Sequence, residues 1–222
     1  MPNFIGDSIN TIPAIELIRQ VFPQARITLL GPSFLKELFE YDPRIFYVIV
    51  SNKRKKNYFR NIFVILRNRY DLGILFTNTF MTALLLRLAL VKRLVGYENE
   101  GRGFLLNFKR PLNRNVHYIN RYAMLVNEWL GNKFTCLPTL KLYYKQECNF
   151  HFANNNPVIG LYLGGTNKRF RRYLEEQAIV LLRMLRNYNL VFIGDSNDAV
   201  VQSSYVRQAM IDNVLDLSGK TW

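Results

Sequence analysis

Short apolar segments alternate with amphipathic segments over the first 130 residues of the chain. The apolar segments are rich in β-branched and aromatic residues, and they predict β-strands at 26–31 (RITLLG), 45–50 (IFYVIV), 71–76 (DLGILF) and 93–97 (RLVGY). The segments between them have apolar residues at helical spacing. They predict helices from Ser8 or Asn10 to Phe22, over 57–69, 79–90 and 117–130, and a short helix capped by Ser33.

The alternation stops at 131–156, which has no clear period and ends in three asparagines, and then resumes. Strands are predicted at 157–164, 190–195 and 213–219, and helices at 173–187 and 197–210. Near-continuous apolar strands that alternate with helices are typical of an α/β fold whose parallel sheets are covered on both faces.

Two such series predict two doubly wound, Rossmann-like domains facing a cleft, with ligands at the carboxyl ends of the strands. We assign residues 1–135 to an N-terminal domain, 136–156 to an interdomain linker and 157–222 to a partial C-terminal domain. The second domain would have only about 65 residues, so we expect it to be incomplete. The first helix would also need a preceding strand, of which 1–5 supply little.

Positive charge is concentrated in the first part of the chain. The net charge is +14, and residues 1–150 hold 22 of the 30 Lys and Arg residues but 10 of the 16 acids. Residues 52–69 contain seven basic residues and no acid, beginning with Lys53, Arg54, Lys55 and Lys56. Such a segment attracts nucleic acid, anionic lipid headgroups or a phosphorylated sugar acceptor, although it also fits a merely solvated surface.

The longest apolar run, 80–91, is interrupted by Arg87 and is too short to cross a bilayer. The two cysteines, Cys136 and Cys148, show no metal-ligand spacing. With no secretory leader recognisable at the start, we expect a reduced, cytosolic chain. His117 and His151 have no nucleophile or metal spacing around them, which favours structural roles.

Asp7 follows Gly6 at a predicted turn into a helix. An acidic residue in this place often caps the helix N-terminus. A carboxylate at a strand-to-helix turn can also take a proton from a sugar hydroxyl. Local spacing leaves both roles open.

Two loops of the second series are candidates for nucleotide binding. Gly164 and Gly165 allow close approach of the backbone to a ligand, Thr166 offers a hydroxyl and Lys168 a charge, next to a predicted helix N-terminus. The alternative is a glycine turn beside a solvated basic face. After the next strand, Gly194 precedes Asp195, which can bind ribose hydroxyls or cap the following helix.

Taken together, several segments resemble the ADP-heptose:lipopolysaccharide heptosyltransferases of glycosyltransferase family 9, and most of all their heptosyltransferase II branch. The matching segments are PNFIGDSINTIPAIELIRQVFPQARITLLG, YDLGILFTNTFMTALLLRLALVKRLVGYENEGRGFLLN, HYINRYAML, IGLYLGGTNKRF, LVFIGDSND and NVLDLSGKT. They are distributed over most of the 222 residues.

The resemblance implies a GT-B fold and an inverting, metal-independent transfer of heptose from ADP-heptose to the lipopolysaccharide inner core, without a cofactor. Asp7 matches the family's Gly-Asp position and is implied to be the general base. The ADP-sugar would be bound by Gly164, Gly165, Thr166, Lys168, Gly194 and Asp195. Asn78 matches a family signature on the acceptor side, where Lys53, Arg54, Lys55 and Lys56 would meet the anionic core.

The resemblance also implies a cytoplasmic enzyme that lies peripherally at the cytoplasmic face of the inner membrane.

Two departures from the family's sequence pattern leave alternatives open. Phe170 and Arg171 replace the usual Trp-Pro of the lysine loop, which allows another donor or acceptor. The family's Asp-x-Gly-x-x-His segment is absent, so a catalytically inactive fragment is a further alternative. A basic nucleic-acid-binding α/β protein is the remote one.

Overall fold

The computed structural model describes residues 1–51, 55–145, 151–164 and 173–219, with only the backbone described for 55–58. The chain divides into two compact units, Met1–Gln146 and Glu147–Trp222. The division falls within the connection predicted at 136–156, and the predicted domain bounds stay predictions.

The first unit contains five strands and six α-helices in its described part. In chain order these are α1 (Ile5–Ile9), α2 (Ile12–Val21), β1 (Ile27–Gly31), α3 (Leu35–Leu38), β2 (Ile45–Val50), α4 (Lys55–Asn68), β3 (Leu72–Leu75), α5 (Phe80–Leu88), β4 (Arg93–Glu98), β5 (Phe108–Pro111) and α6 (Tyr118–Trp129). A short 3-10 helix, Arg102–Leu105, precedes β5. All strand pairs are parallel, in the orders β1–β2 and β3–β4–β5.

Helices pack on these sheets through their apolar faces. Ile65 of α4 and Leu85 of α5 are buried against Leu94 of β4. On another side, Leu17 of α2 and Tyr122 of α6 belong to one buried cluster with residues of the sheet edge. The buried strands and amphipathic helices confirm the α/β class predicted from the sequence pattern.

A buried ion pair holds the segment after α6 to the first unit. Arg44 pairs with Asp42 at 2.6 Å and with Glu16 at 3.0 Å, and it also donates to the carbonyl of Lys141 at 2.9 Å. Burial by itself would lower the pKa of Arg44, but hydrogen bonds with the two carboxylates outweigh it and raise the pKa. The first part of the predicted linker therefore packs with the N-terminal unit.

The second unit has one parallel sheet of order β6–β7–β8. Its elements are β6 (Val158–Leu161), α7 (Glu175–Met184), β7 (Asn189–Phe192), α8 (Ser196–Ala209) and β8 (Val214–Asp216). Leu182, Phe192 and Tyr205 are buried in its core. Each element lies within the range predicted from the sequence or within one residue of it.

One local prediction was wrong, and one strand was missed. Ser33 does not cap α3, because the helix starts at Leu35 and its N-cap is Phe34, which makes no side-chain cap hydrogen bond. Strand β5 was not predicted at all. Among the described helices, none combines the length and the hydrophobicity that a membrane span requires.

Candidate functional site

The loops at the carboxyl ends of β3 and β4 lie side by side, because the two strands are parallel neighbours. The first loop contains Asn78 and leads into α5, and the second contains Asn99 and Glu100. Asn99 donates from its side chain to the Asn78 carbonyl at 3.1 Å, and Glu100 accepts from the backbone N–H of Phe80 at 2.9 Å. The second loop thus holds the first loop in place, and Glu100 provides a hydrogen-bond acceptor for a backbone N–H at the start of α5.

Arg102 forms the centre of this arrangement. Its side chain is completely buried, and none of the described residues forms a salt bridge with it. The guanidinium donates to the carbonyls of Tyr97 at 2.9 Å and Thr77 at 2.6 Å. Desolvation lowers the pKa of Arg102 to about 10, partly offset by the charge of Glu100. A buried cation that is hydrogen-bonded to neutral carbonyls holds the loop 77–79 in one conformation.

Arg102 also orients the Asn78 side chain. Its Nη2 lies 3.3 Å from the amide oxygen of Asn78. The amide nitrogen of Asn78 makes no hydrogen bond to any residue that the structure describes, and the side chain is half-buried. Asn78 consequently presents two hydrogen-bond donors at the carboxyl edge of the sheet.

Asp7 is the third residue of the short helix α1, whose N-cap is Phe4. Asp7 is therefore not the N-cap, and its half-buried carboxylate accepts no hydrogen bond from the described residues. Gly6 beside it is exposed, and a Cβ added there would meet nothing within 4 Å. The Asp7 carboxylate therefore has its hydrogen-bonding capacity unused by the described residues.

The charge of Asp7 acts on the Tyr122 hydroxyl of helix α6. Burial raises the pKa of the Tyr122 hydroxyl to about 12, and the negative charge of Asp7 is the next largest cause. The Tyr122 ring packs edge-on against Phe76, with ring centroids 5.1 Å apart. Phe76 directly follows β3, so Tyr122, on which the charge of Asp7 acts, packs at the carboxyl end of that strand.

The predicted basic acceptor residues are only partly covered by the structure. Lys53 and Arg54 lie outside the described residues. Lys55 and Lys56 are in the first turn of α4, and their side chains are likewise outside the description. Their role stays a prediction.

The first predicted nucleotide loop begins at Gly164, shortly after β6. Gly164 has a φ of 97°, which glycine adopts without strain. Gly165, Thr166 and Lys168 lie outside the described residues, so the predicted diphosphate site stays a prediction.

The second predicted nucleotide loop follows β7, and there Asp195 is the N-cap of α8. Its Oδ1 accepts from the backbone N–H groups of Asn197 at 2.8 Å and Asp198 at 3.1 Å. The Asp198 carboxylate accepts in return from the Asp195 N–H at 3.1 Å, which completes a capping box. The sequence left two roles open for Asp195, ribose binding and helix capping, and the structure shows helix capping.

Glycines bring this loop against the next one. The Gly219 N–H donates to the Gly194 carbonyl at 2.9 Å. A Cβ on Gly219 would lie 2.8 Å from the Cα of Ser196, and its φ is 70°. The loops after β7 and β8 therefore form one tightly packed edge at the carboxyl ends of the strands.

Sequence reasoning missed Arg102, Glu100 and Tyr122. Arg102 follows a glycine in a polar stretch, ENEGRG, which reads as an exposed turn. Tyr122 shows only helical spacing and looks like an ordinary core residue. His117, by contrast, has the structural role predicted for it, since its side chain accepts from the Ile119 N–H at the start of α6.

Comparisons with known proteins agree with this architecture. Residues 60–221 match the profile of glycosyltransferase family 9 (heptosyltransferase). The lipooligosaccharide heptosyltransferase 2 of Haemophilus ducreyi is 22% identical, and the match covers 99% of this chain and 70% of that protein.

Two solved structures are similar in fold. The Escherichia coli ADP-heptose LPS heptosyltransferase II superposes with a TM-score of 0.81 at 21% identity, over 99% of this chain and 71% of that one. A family 9 glycosyltransferase from Veillonella parvula superposes with a TM-score of 0.83 at 20% identity, over 100% and 68%. These similarities confirm the predicted GT-B type of α/β fold, and the family match covers most of the sequence. The chain belongs to glycosyltransferase family 9, the heptosyltransferase family.

Proposed function

We propose that the chain transfers heptose from ADP-heptose to the lipopolysaccharide inner core, with inversion at the anomeric carbon and with Asp7 as general base. The observation that carries this proposal is the half-buried Asp7 carboxylate, which accepts no hydrogen bond from the described residues. The names of the H. ducreyi and E. coli relatives supply the sugar, the donor and the acceptor class.

In this reaction the acceptor hydroxyl donates a hydrogen bond to the Asp7 carboxylate. As the hydroxyl oxygen attacks the anomeric carbon of heptose, its proton passes to Asp7. The bond from the anomeric carbon to the ADP oxygen breaks, and ADP leaves with the electron pair. Attack opposite to the leaving group gives the inverted configuration, and no step requires a metal or a cofactor.

Acceptor binding is assigned to the first unit. The Asn78 amide nitrogen, which Arg102 turns away from itself, donates to an oxygen of the acceptor. Lys53, Arg54, Lys55 and Lys56 attract the carboxylates and phosphates of an anionic core sugar. The negative charge of the acceptor is consistent with the basic excess of residues 1–150.

Donor binding is assigned to the second unit. Gly164 and Gly165 bring the backbone close to the diphosphate, and Thr166 and Lys168 stabilise the charge that develops on ADP. Gly194 and Asp195 shape the adjoining loop, with Asp195 acting through the cap of α8.

The protein is further proposed to act in the cytoplasm, in peripheral contact with the cytoplasmic face of the inner membrane. The acid-free basic segment 52–69 supports this placement, since anionic headgroups attract such segments.

A transfer assay tests the proposal. The chain is incubated with ADP-heptose and inner-core acceptor, ADP release is followed, and the product is analysed by mass spectrometry and by NMR of the new anomeric proton. Gain of one heptose with inverted configuration is expected. ADP-heptose hydrolysis without transfer, or no turnover, contradicts the proposal.

A second donor is the one alternative that a specific observation favours. Phe170 and Arg171 stand where the family's lysine loop has Trp-Pro. The same assay with other ADP-sugars distinguishes the two: faster transfer from one of them would reassign the donor and leave the reaction type unchanged.

A further inference from the structure

Helix α4 exposes two large aromatic side chains to solvent. Phe59 is 71% exposed and Phe63 is 68% exposed, although both lie on a helix of the first unit. They are four residues apart, so they are neighbours on one side of the helix. Arg60 and Arg67 are exposed on the same side. We call Phe59, Arg60, Phe63 and Arg67 the α4 stripe.

The α4 stripe cannot turn into the core of the first unit. The opposite side of α4 is fixed by Asn61 and Ile65, which are 1% and 2% exposed. Asn61 donates to the Ser51 hydroxyl at 2.8 Å, and Ile65 belongs to the cluster around Leu94. Rotation of the helix to cover the phenylalanines would expose both of these residues.

The stripe is also electrostatically unbalanced. Residues 52–69 contain seven basic residues and no acid. Within the described residues, Arg60 and Arg67 take part in none of the ion pairs. The next acid along the chain, Asp71, pairs with Lys92 at 2.6 Å. Within the described residues, no ion pair therefore neutralises the exposed arginines of α4.

We propose that the α4 stripe docks on a bilayer surface that contains anionic lipid, with Phe59 and Phe63 inserted at the boundary between headgroups and acyl chains. Arg60 and Arg67 then contact lipid phosphates. A helix with aromatic and basic residues on one exposed side binds this interface by apolar burial and by attraction to anionic lipid. The inference rests on the proposed function for its setting, because a lipid-linked acceptor places the substrate at the same surface.

A second copy of the chain fits the stripe less well. In a two-fold symmetric contact, the same surface patch meets itself. Arg60 and Arg67 of one copy would then face the same cations of the other copy, with no acid in 52–69 to neutralise them. A lipid surface supplies the missing negative charge.

The test compares vesicle binding of the full chain with that of the double variant Phe59→Gln and Phe63→Gln. Glutamine supports a helix at least as well as phenylalanine, so α4 should persist. The affinity of the double variant for phosphatidylglycerol-containing vesicles, measured by cosedimentation, should fall by roughly tenfold or more, which is about 1.4 kcal/mol of binding free energy. Met184→Gln with Val200→Gln is the matched control, because these residues of the second unit are 74% and 75% exposed; its binding should equal that of the unmodified chain.

A reporter variant tests insertion directly. Phe63→Trp should shift its fluorescence to shorter wavelength and be quenched by brominated lipid with phosphatidylglycerol vesicles, but not with pure phosphatidylcholine vesicles. Heptose transfer to a soluble, deacylated acceptor should be unchanged in the Gln double variant. Vesicle binding of Asp7→Asn should also be unchanged, so failure of docking and failure of the proposed reaction are distinguishable.

Equal vesicle binding by the Gln double variant, or no spectral change of Phe63→Trp, would overturn the proposal. Loss of oligonucleotide binding instead would assign the stripe to nucleic acid, and loss of a dimer in sedimentation would assign it to a second copy. Either of these results also contradicts lipid docking.

Discussion

Arg102 holds the amide oxygen of Asn78 at 3.3 Å, and the same guanidinium donates to the Thr77 carbonyl at 2.6 Å. The carboxyl end of β3 is thus fixed by a cation that is entirely buried and whose partners are neutral oxygens. This relationship determines which polar atoms of the Asn78 side chain remain available for hydrogen bonding.

Loss of the Arg102 guanidinium should destabilise the first unit. In Arg102→Met, the carbonyls of Thr77 and Tyr97 lose their buried donor, and we expect a loss of about 3 kcal/mol in the free energy of unfolding. Arg102→Lys should lose less, because it retains a donor without the planar geometry. Urea unfolding measures both, with the exposed Arg93→Met as control. Equal stability of Arg102→Met and Arg93→Met would contradict the role of Arg102.

The orientation of Asn78 predicts an effect on the acceptor. Asn78→Asp keeps the partner of Arg102 but removes both donors and adds a negative charge facing an anionic acceptor. We expect KM for the acceptor to rise by roughly tenfold, with little change in KM for ADP-heptose. Steady-state kinetics with each substrate varied in turn measures this. A rise confined to KM for ADP-heptose would contradict the assignment of Asn78 to acceptor binding.

The titration of Tyr122 reports on Asp7 independently of activity. Burial and then the Asp7 charge raise the Tyr122 pKa to about 12. In Asp7→Asn the Tyr122 pKa should fall, as measured by tyrosinate absorbance against a Tyr122→Phe reference. Glu128→Gln is the control. Burial also raises the pKa of Tyr97 to about 12, and there the charge of Glu128 is the second-largest cause. An unchanged Tyr122 pKa in Asp7→Asn would contradict the electrostatic effect of Asp7 on Tyr122.

The same shifts predict a direction for alkaline stability. Both tyrosines keep their protons longer in the folded state than in the unfolded state, where the pKa is about 10. Their contribution to stability is therefore complete below about pH 10, and it is lost as the pH rises toward 12.

The cap of α8 predicts how Asp195 affects nucleotide binding. Asp195→Ala should lower the stability of the second unit by about 1 kcal/mol, whereas Asp195→Asn retains an N-cap acceptor and should lower it less. If Asp195 acts through the cap, ADP affinity follows the same order in calorimetric titration. Equal loss of ADP binding in both variants would instead indicate a direct contact with the nucleotide.

The alternation of apolar strands and amphipathic helices was sufficient to predict most of the fold. Strand β2 was predicted at its observed bounds, since IFYVIV carries a strong β-branched signal. Strand β5 was missed because its residues, FKRP, are largely exposed at the edge of the sheet and include a proline. The alternation of apolar and polar residues reflects burial of one face of a strand. An edge strand such as β5 buries too few residues for this alternation to appear in its sequence.

The candidate site was less predictable than the fold. Asp7, Asn78 and Asp195 were predicted as site residues because they follow strands or match a family motif. Arg102 could not be found this way, since its burial depends on carbonyls from two neighbouring loops that meet only in the folded sheet. Nor could spacing decide between cap and ligand at Asp7 and Asp195, because both roles use an acidic residue at a helix start.

The most direct test of the account is the rate of heptose transfer by Asp7→Asn, measured together with its ADP affinity. The substitution keeps the size of the side chain and removes the proton acceptor. The account predicts that kcat falls by about 10²–10⁴-fold while ADP binding is unchanged. Transfer at a near-normal rate would contradict the assignment of Asp7 as the general base.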